Sequence, residues 1–274
     1  MKHNARAIRA IALKDLGQVL RNKTVWLPMI LLPLILQVIL PAVMTLLPTF
    51  VPSDDMDMDE LVTMMATMPG ELRSAFEGLS EAQAWVMISS NYMFAPLFLI
   101  VPLMVSSIIA ADGFVGERER RTMEALLYSP VSDQDLFLAK LLAAWVPAVV
   151  ISWGAFLVNA LVVNLTGYRI MGRLFFPQPM WWGMLLWLGP GLSLTSLGAT
   201  VLISAKAKTF MQAQQMSGML VLPVVLLMIG QVSGLLFISS AVVWLLGIPV
   251  WLFGVWLVWI GSHSFKRDEL IGRV

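Results

Sequence analysis

Side chains able to do covalent or metal chemistry are scarce in this sequence of 274 residues. Cysteine is absent, which excludes thiolate nucleophiles, thiolate metal sites and disulfides. The only histidines are His3 and His263, at opposite ends of the chain, so an intramembrane zinc protease has no ligand set. No Gly-x-Ser-x-Gly nucleophile turn is present. No Gly-x-x-x-x-Gly-Lys-Ser/Thr phosphate loop occurs either, so the chain does not bind ATP by that route. No residue reads as catalytic, and the chain by itself is not read as an enzyme. Two groupings remain. The run Glu117-Arg118-Glu119-Arg120-Arg121-Thr122-Met123-Glu124 alternates charge, the pattern of a helix that makes ion pairs with something. Met56, Met58, Met64, Met65 and Met68 lie close together beside an acidic run from Asp54 to Glu60. Thioethers suit a soft metal such as copper(I). Methionine is also an adaptable packing residue, and packing is the reading adopted, with no metal site assigned. The acidic run likewise suits a helix N-terminus, where the dipole favours negative charge.

The elements that position these groups are membrane helices. Apolar residues make up 58% of the chain and charged residues 13%, against about 25% charged in soluble domains. A soluble fold and a disordered chain are both excluded by that balance. The net charge of +1 gives no reason to expect a nucleic-acid partner. A spanning helix needs about 20 mostly apolar residues. Six such stretches appear: 26–47, 92–111, 141–165, 181–204, 216–238 and 241–261. The turn between the last two is placed near Ser239 and Ser240, with Gly230 to Gly234 as the rival position. The fold class is therefore all-α and polytopic. Its further parts are an N-terminal interfacial helix in 1–25, a helical outer loop in 48–91, a charged loop in 112–140 and a tail in 262–274. The basic, amphipathic lead before the first span carries no cleavage pattern, so a removable signal peptide is not expected.

Lysine and arginine sort by loop. Lys2, Arg6, Arg9, Lys14, Arg21 and Lys23 precede the first span, Arg118, Arg120, Arg121 and Lys140 follow the second, and Lys206 and Lys208 follow the fourth. Lys266, Arg267 and Arg273 close the chain, and only Arg73, Arg169 and Arg173 fall on the other side. The positive-inside rule puts both termini in the cytoplasm. None of the six stretches contains Asp, Glu, Lys, Arg or His, which argues against a proton-driven transporter. The polar residues within them are mild. Ser106, Asn159, Ser193, Thr195 and Ser196 are candidates to line a substrate path. The plainer reading is hydrogen bonding between helices, worth about 0.6–2 kcal/mol each. Gly189, Gly191, Ser193, Gly198 and Ala199 permit close helix contact. If the protein pumps something, the energy comes from another chain.

Ala5 to Lys23 reads as an amphipathic helix, with Ile8, Ile11, Ala12, Leu16, Val19 and Leu20 at helical spacing; it suits an interfacial anchor and equally a lever that contacts a cytoplasmic partner. In the loop after the second span, Gly116 to Tyr128 is predicted to be helical, carrying charge first and then Met123, Leu126 and Leu127. Pro130 stops it. Ser132 and Asp135 have the spacing of a capping box for the next helix. In the outer loop two short helices are expected, 59–68 and 70–87, divided by Pro69.

The string GERERRTMEALLYSPVSDQDLFLAK resembles the signature of ABC-2 type transporter permeases, with Thr122, Glu124, Leu126, Leu127, Pro130 and Lys140 on matching positions. Arg121 stands where that family often has glycine. The resemblance covers the whole chain, including the lead ALKDLGQVLRNK. It implies the transmembrane subunit of an ATP-binding-cassette exporter in a prokaryotic-type cell membrane. Two copies, or one copy and a paralogous permease, would pair with a separate ABC ATPase, which would hold the ATP and magnesium; this chain holds no cofactor. By that resemblance the helix from Glu117 to Leu127 is the coupling helix. Glu117, Arg118, Glu119 and Arg120 would face the ATPase, and Thr122, Glu124, Leu126 and Leu127 belong to the same ATPase-coupling surface. Membrane lipid is the other partner. The alternative is a membrane scaffold or assembly factor that transports nothing.

Overall fold

The computed structural model describes residues 5–51, 70–73, 76–120, 132–233, 236 and 238–264. Each element among them is helical. Helix α1, Ala5–Arg21, precedes six helices long and apolar enough to cross a membrane. These are α2 (Lys23–Phe50), α3 (Glu81–Glu119), α4 (Asp133–Met171), α5 (Met180–Ser204), α6 (Phe210–Val232) and α7 (Ser240–Ser264). The chain is an all-α polytopic membrane protein.

Local chemistry sets the boundaries. Asn22 leaves helical geometry and accepts a hydrogen bond from Thr24 N, which separates α1 from α2. Ser80 and Gln83 form a reciprocal capping box at the start of α3. Ser132 caps α4 by accepting from Asp135 N at 3.1 Å. Gly172, at φ +66°, ends α4 in the left-handed conformation that glycine adopts without a Cβ penalty.

Two expectations change here. The outer-loop helix expected over 70–87 is divided: Gly70–Arg73 forms one turn, Gly78 turns the chain at φ +78°, and α3 starts at Glu81. The second span thus begins about ten residues earlier than its apolar run, because the Ser80–Gln83 box starts a helix that still carries Glu81. At the other end α3 does not stop at Ala111; it runs on through Glu119. Helices of 39 residues, such as α3 and α4, are about 58 Å long, well beyond a hydrocarbon core of about 30 Å. Their ends must project past the bilayer. Between the last two spans the helix ends at Val232 and resumes at Ser240. The methionine cluster and the helix expected over 59–68 lie outside the described residues.

Four short π-helical segments interrupt the spans, and three precede a proline: Ile35–Ile39 before Pro41, Ser89–Met93 before Pro96, and Met184–Leu188 before Pro190. Proline has no N–H and its ring crowds the carbonyl four residues back, so a widened turn relieves the clash. The freed carbonyls find other donors, as the bilayer interior requires. Around Pro190, Trp153 Nε1 donates to Leu185 O at 3.1 Å and Trp251 Nε1 to Trp187 O at 2.9 Å. Gln231 Nε2 donates at 2.6 Å to Tyr92 O, the carbonyl that Pro96 cannot serve.

Helix α3 is central: 83% of its apolar window is buried inside the chain, against 61% for α5 and 22% for α2, α6 and α7. Helix α5 packs on α3 and on α7. Gly198 makes the α5–α7 approach close, since a Cβ there would stand 2.7 Å from Leu257 Cβ and 3.0 Å from Val258 N. Away from the charged end of α3, an aromatic cluster of Phe98, Phe156, Phe176 and Trp181 fills the space between α3, α4 and α5.

Candidate functional site: a polar junction at the end of the central helix

The fourth π segment, Asp112–Gly116, precedes no proline. It carries α3 out of its apolar run and turns Glu117 inward. There Glu117 Oε2 meets Lys140 Nζ of α4 at 2.5 Å, and both side chains are only 1% exposed. Glu117 Oε1 accepts from Lys14 Nζ of α1 at 3.1 Å. Lys14 also stands 3.4 Å from Asp15 Oδ1, and Lys140 stands 3.7 Å from Asp15 Oδ2. Two lysines and two carboxylates thus balance in charge where α1, α3 and α4 meet. Lys140 further donates to Gly113 O in the π segment at 2.8 Å and lies 5.7 Å from the centre of the Phe114 ring.

Burial and charge act against each other on the two groups that α1 contributes. Burial pushes the Asp15 carboxyl up from its ordinary value; Lys140 opposes the shift and Glu117 adds to it. Burial pulls Lys14 down, but the negative charges of Glu117 and Asp15 outweigh it and hold the ammonium above its usual range. Among the described residues Asp15 makes these ionic contacts and no further hydrogen bond, and a small cleft beside it is lined by Gln18, Asp112, Gly113 and Glu117 among others.

The next three residues each reach a different place. Arg118 Nη2 donates to Ser204 O at 3.2 Å and to Ala207 O, at the end of α5. Glu119 Oε2 accepts from Phe210 N at 2.9 Å, at the start of α6. Arg120 turns back over Gly116 to Asp112, at 2.8 Å, and this hydrogen bond keeps the guanidinium protonated to higher pH than usual. Gly116 leaves room for that pair: a Cβ there would stand 2.7 Å from Asp112 Oδ1.

Glu117 therefore does not face outward as expected. Its carboxylate is held within the chain by Lys140 and Lys14, because the π segment continues α3 instead of ending it. Arg118 is half-buried, while Glu119 and Arg120 remain on the surface. The helix expected to continue to Tyr128 is described only as far as Glu119, with Arg120 in a turn; Thr122, Glu124, Leu126 and Leu127 lie outside the described residues. Asp15, Asp112 and the pairing of Lys14 and Lys140 with Glu117 were not picked out from the sequence. The available signal was that Asp15 is the only acid in α1 and that Lys140 sits between Ala139 and Leu141.

The five substrate-path candidates are placed apart from this junction. Ser106 donates to Leu103 O at 3.0 Å and Ser193 to Pro190 O at 2.9 Å, each within its own helix. Ser196 crosses from α5 to Leu103 O of α3 at 2.7 Å, and Thr195 crosses to Val250 O of α7 at 3.0 Å. Asn159 is buried on α4. Four of the five are buried and Thr195 is partly so; the hydroxyls of Ser196 and Thr195 bond between helices, and those of Ser106 and Ser193 within one.

Six spans preceded by an amphipathic helix define a multi-pass membrane protein. The family described as ABC-2 family transporter protein matches residues 9–245, and the chain belongs to that family. It is thus a permease component of an ABC transporter. No curated protein matches it.

Proposed function

We propose that this chain forms the transmembrane pathway for outward, ATP-driven transport and receives its energy from a separate ABC ATPase subunit. The ATPase docks at the junction end, on the segment that follows Arg120. Two copies, or one copy with a paralogue, enclose the path, and both termini are cytoplasmic. The observation that carries this reading is the convergence on residues 117–120. One short segment at the exit of the central helix is joined to α1, α4, α5 and α6. A push there reaches most of the spans at once. The sparse charge within the spans agrees with a pathway powered from outside.

The test is reconstitution. The chain is co-expressed with an ABC ATPase from the same organism, purified, and placed in vesicles. Co-purification and an ATPase rate that depends on the permease are expected. Glu124→Lys, with Arg121→Glu, should weaken the complex while leaving the permease folded. A permease that neither retains the ATPase nor alters its rate would sink the proposal in favour of a scaffold.

A further inference from the structure

Helix α6 is one of the least buried spans. Only 22% of its apolar window is buried, and contacts with lipid favour no one position of a helix over another. Polar ties add to its packing on α3 and α5. At one end Gln231 Nε2 bonds Tyr92 O of α3, and near its middle Ser217 accepts from Thr200 of α5 at 3.0 Å. At the other end Phe210 N bonds Glu119 of α3.

That last tie has a counterpart one residue earlier. A helix carries unsatisfied carbonyls and partial negative charge at its C-terminus, and unsatisfied N–H groups and partial positive charge at its N-terminus. Arg118 meets the carbonyls of Ser204 and Ala207 where α5 ends. Glu119 meets the amide of Phe210 where α6 begins. Two neighbouring residues of opposite charge thus face two neighbouring helix poles of the matching opposite sign. Thr209 completes the α6 cap by accepting from Gln212 N at 3.2 Å.

We infer that Arg118 and Glu119 act as a two-pole clamp that makes the α5–α6 turn, residues 205–209, move as one body with the end of α3. They are positioning residues: a displacement of α3's end reaches α6 through this clamp. What drives the displacement rests on the proposed ATPase coupling; the clamp itself does not.

The chain has no cysteine, so introduced thiols are unique reporters. Lys206→Cys in the turn and Arg173→Cys at the opposite end are spin-labelled in the permease–ATPase complex in lipid nanodiscs. Their distance is measured without nucleotide and with ATP and vanadate. The parent should shift on trapping, and Arg118→Ala with Glu119→Ala should abolish the shift. Arg118→Lys with Glu119→Gln keeps a cation and an acceptor, should retain part of it, and controls for folding. A full shift in the double-alanine protein overturns the clamp; no shift in a trapped parent overturns the functional proposal, and the clamp is then read by hydrogen exchange. If no complex assembles, the functional proposal fails and the clamp is read separately by hydrogen exchange. Glu119→Ala should speed exchange of the Phe210 amide roughly tenfold or more, the loss of one charge-assisted hydrogen bond. Unchanged exchange overturns the clamp.

Discussion

Replacing Lys140 by methionine tests the buried quartet most directly. Lys140 and Glu117 are each 1% exposed, so water screens neither. Removing one partner of a buried pair costs about 3–5 kcal/mol, because the other charge is left uncompensated. Here Glu117 keeps Lys14 at 3.1 Å, and that ammonium is 41% exposed. The expected cost of Lys140→Met is therefore at the lower end, about 3 kcal/mol. Lys14→Met removes a partly solvated charge and should cost about 1 kcal/mol. Adding Glu117→Gln to Lys140→Met leaves Lys14 beside Asp15, a balanced pair, and should restore about 2 kcal/mol. The assay is SDS-driven unfolding in mixed micelles, followed by tryptophan fluorescence. A cost for Lys140→Met no larger than for Lys14→Met would refute the reasoning. So would a double variant no more stable than Lys140→Met alone, since the penalty would then not come from the carboxylate's loss of its buried ammonium partner.

Other outcomes follow from single contacts. Asp15 holds its proton in the folded state above its ordinary value of 3.8, so the native protein binds more protons than the unfolded chain just above that pH. Its contribution is most favourable in acid and is lost as pH rises through the raised value; the stability of the parent relative to Asp15→Asn should fall over that window in unfolding titrations. Gly198→Val drives a side chain into Leu257 and the backbone at Val258, and should cost about 1–3 kcal/mol, read as a lowered unfolding midpoint. Trp153→Phe keeps the ring but removes the donor to Leu185 O beside Pro190, and should cost about 0.6–1.7 kcal/mol by the same unfolding measurement.

The outer loop shows why span limits were harder to read than span number. Hydropathy reports where lipid can be, not where a helix begins. Helix α3 starts at Glu81 because Ser80 and Gln83 satisfy its first N–H groups, although Ser89, Ser90 and Asn91 interrupt the apolar pattern. At the far end Asp112 looks like the start of a loop, yet a π segment without proline carries the helix through. That difference turned Glu117 from an outward charge into an internal one.

By itself the sequence determined the class, the six spans, the charge bias and the cap at Ser132. Each is a local requirement: a bilayer demands apolar length, and an open helix end demands a nearby acceptor. The family resemblance was legible too, because its motif is a contiguous string. Only the tertiary structure decided that Lys14, Asp15, Glu117 and Lys140 form one balanced cluster. It alone decided that Arg118 and Glu119 meet two helix ends some 90 residues away. Ion pairs between distant segments depend on where helices cross and how far each is rotated. A single π segment changes that rotation, and neither composition nor spacing records it.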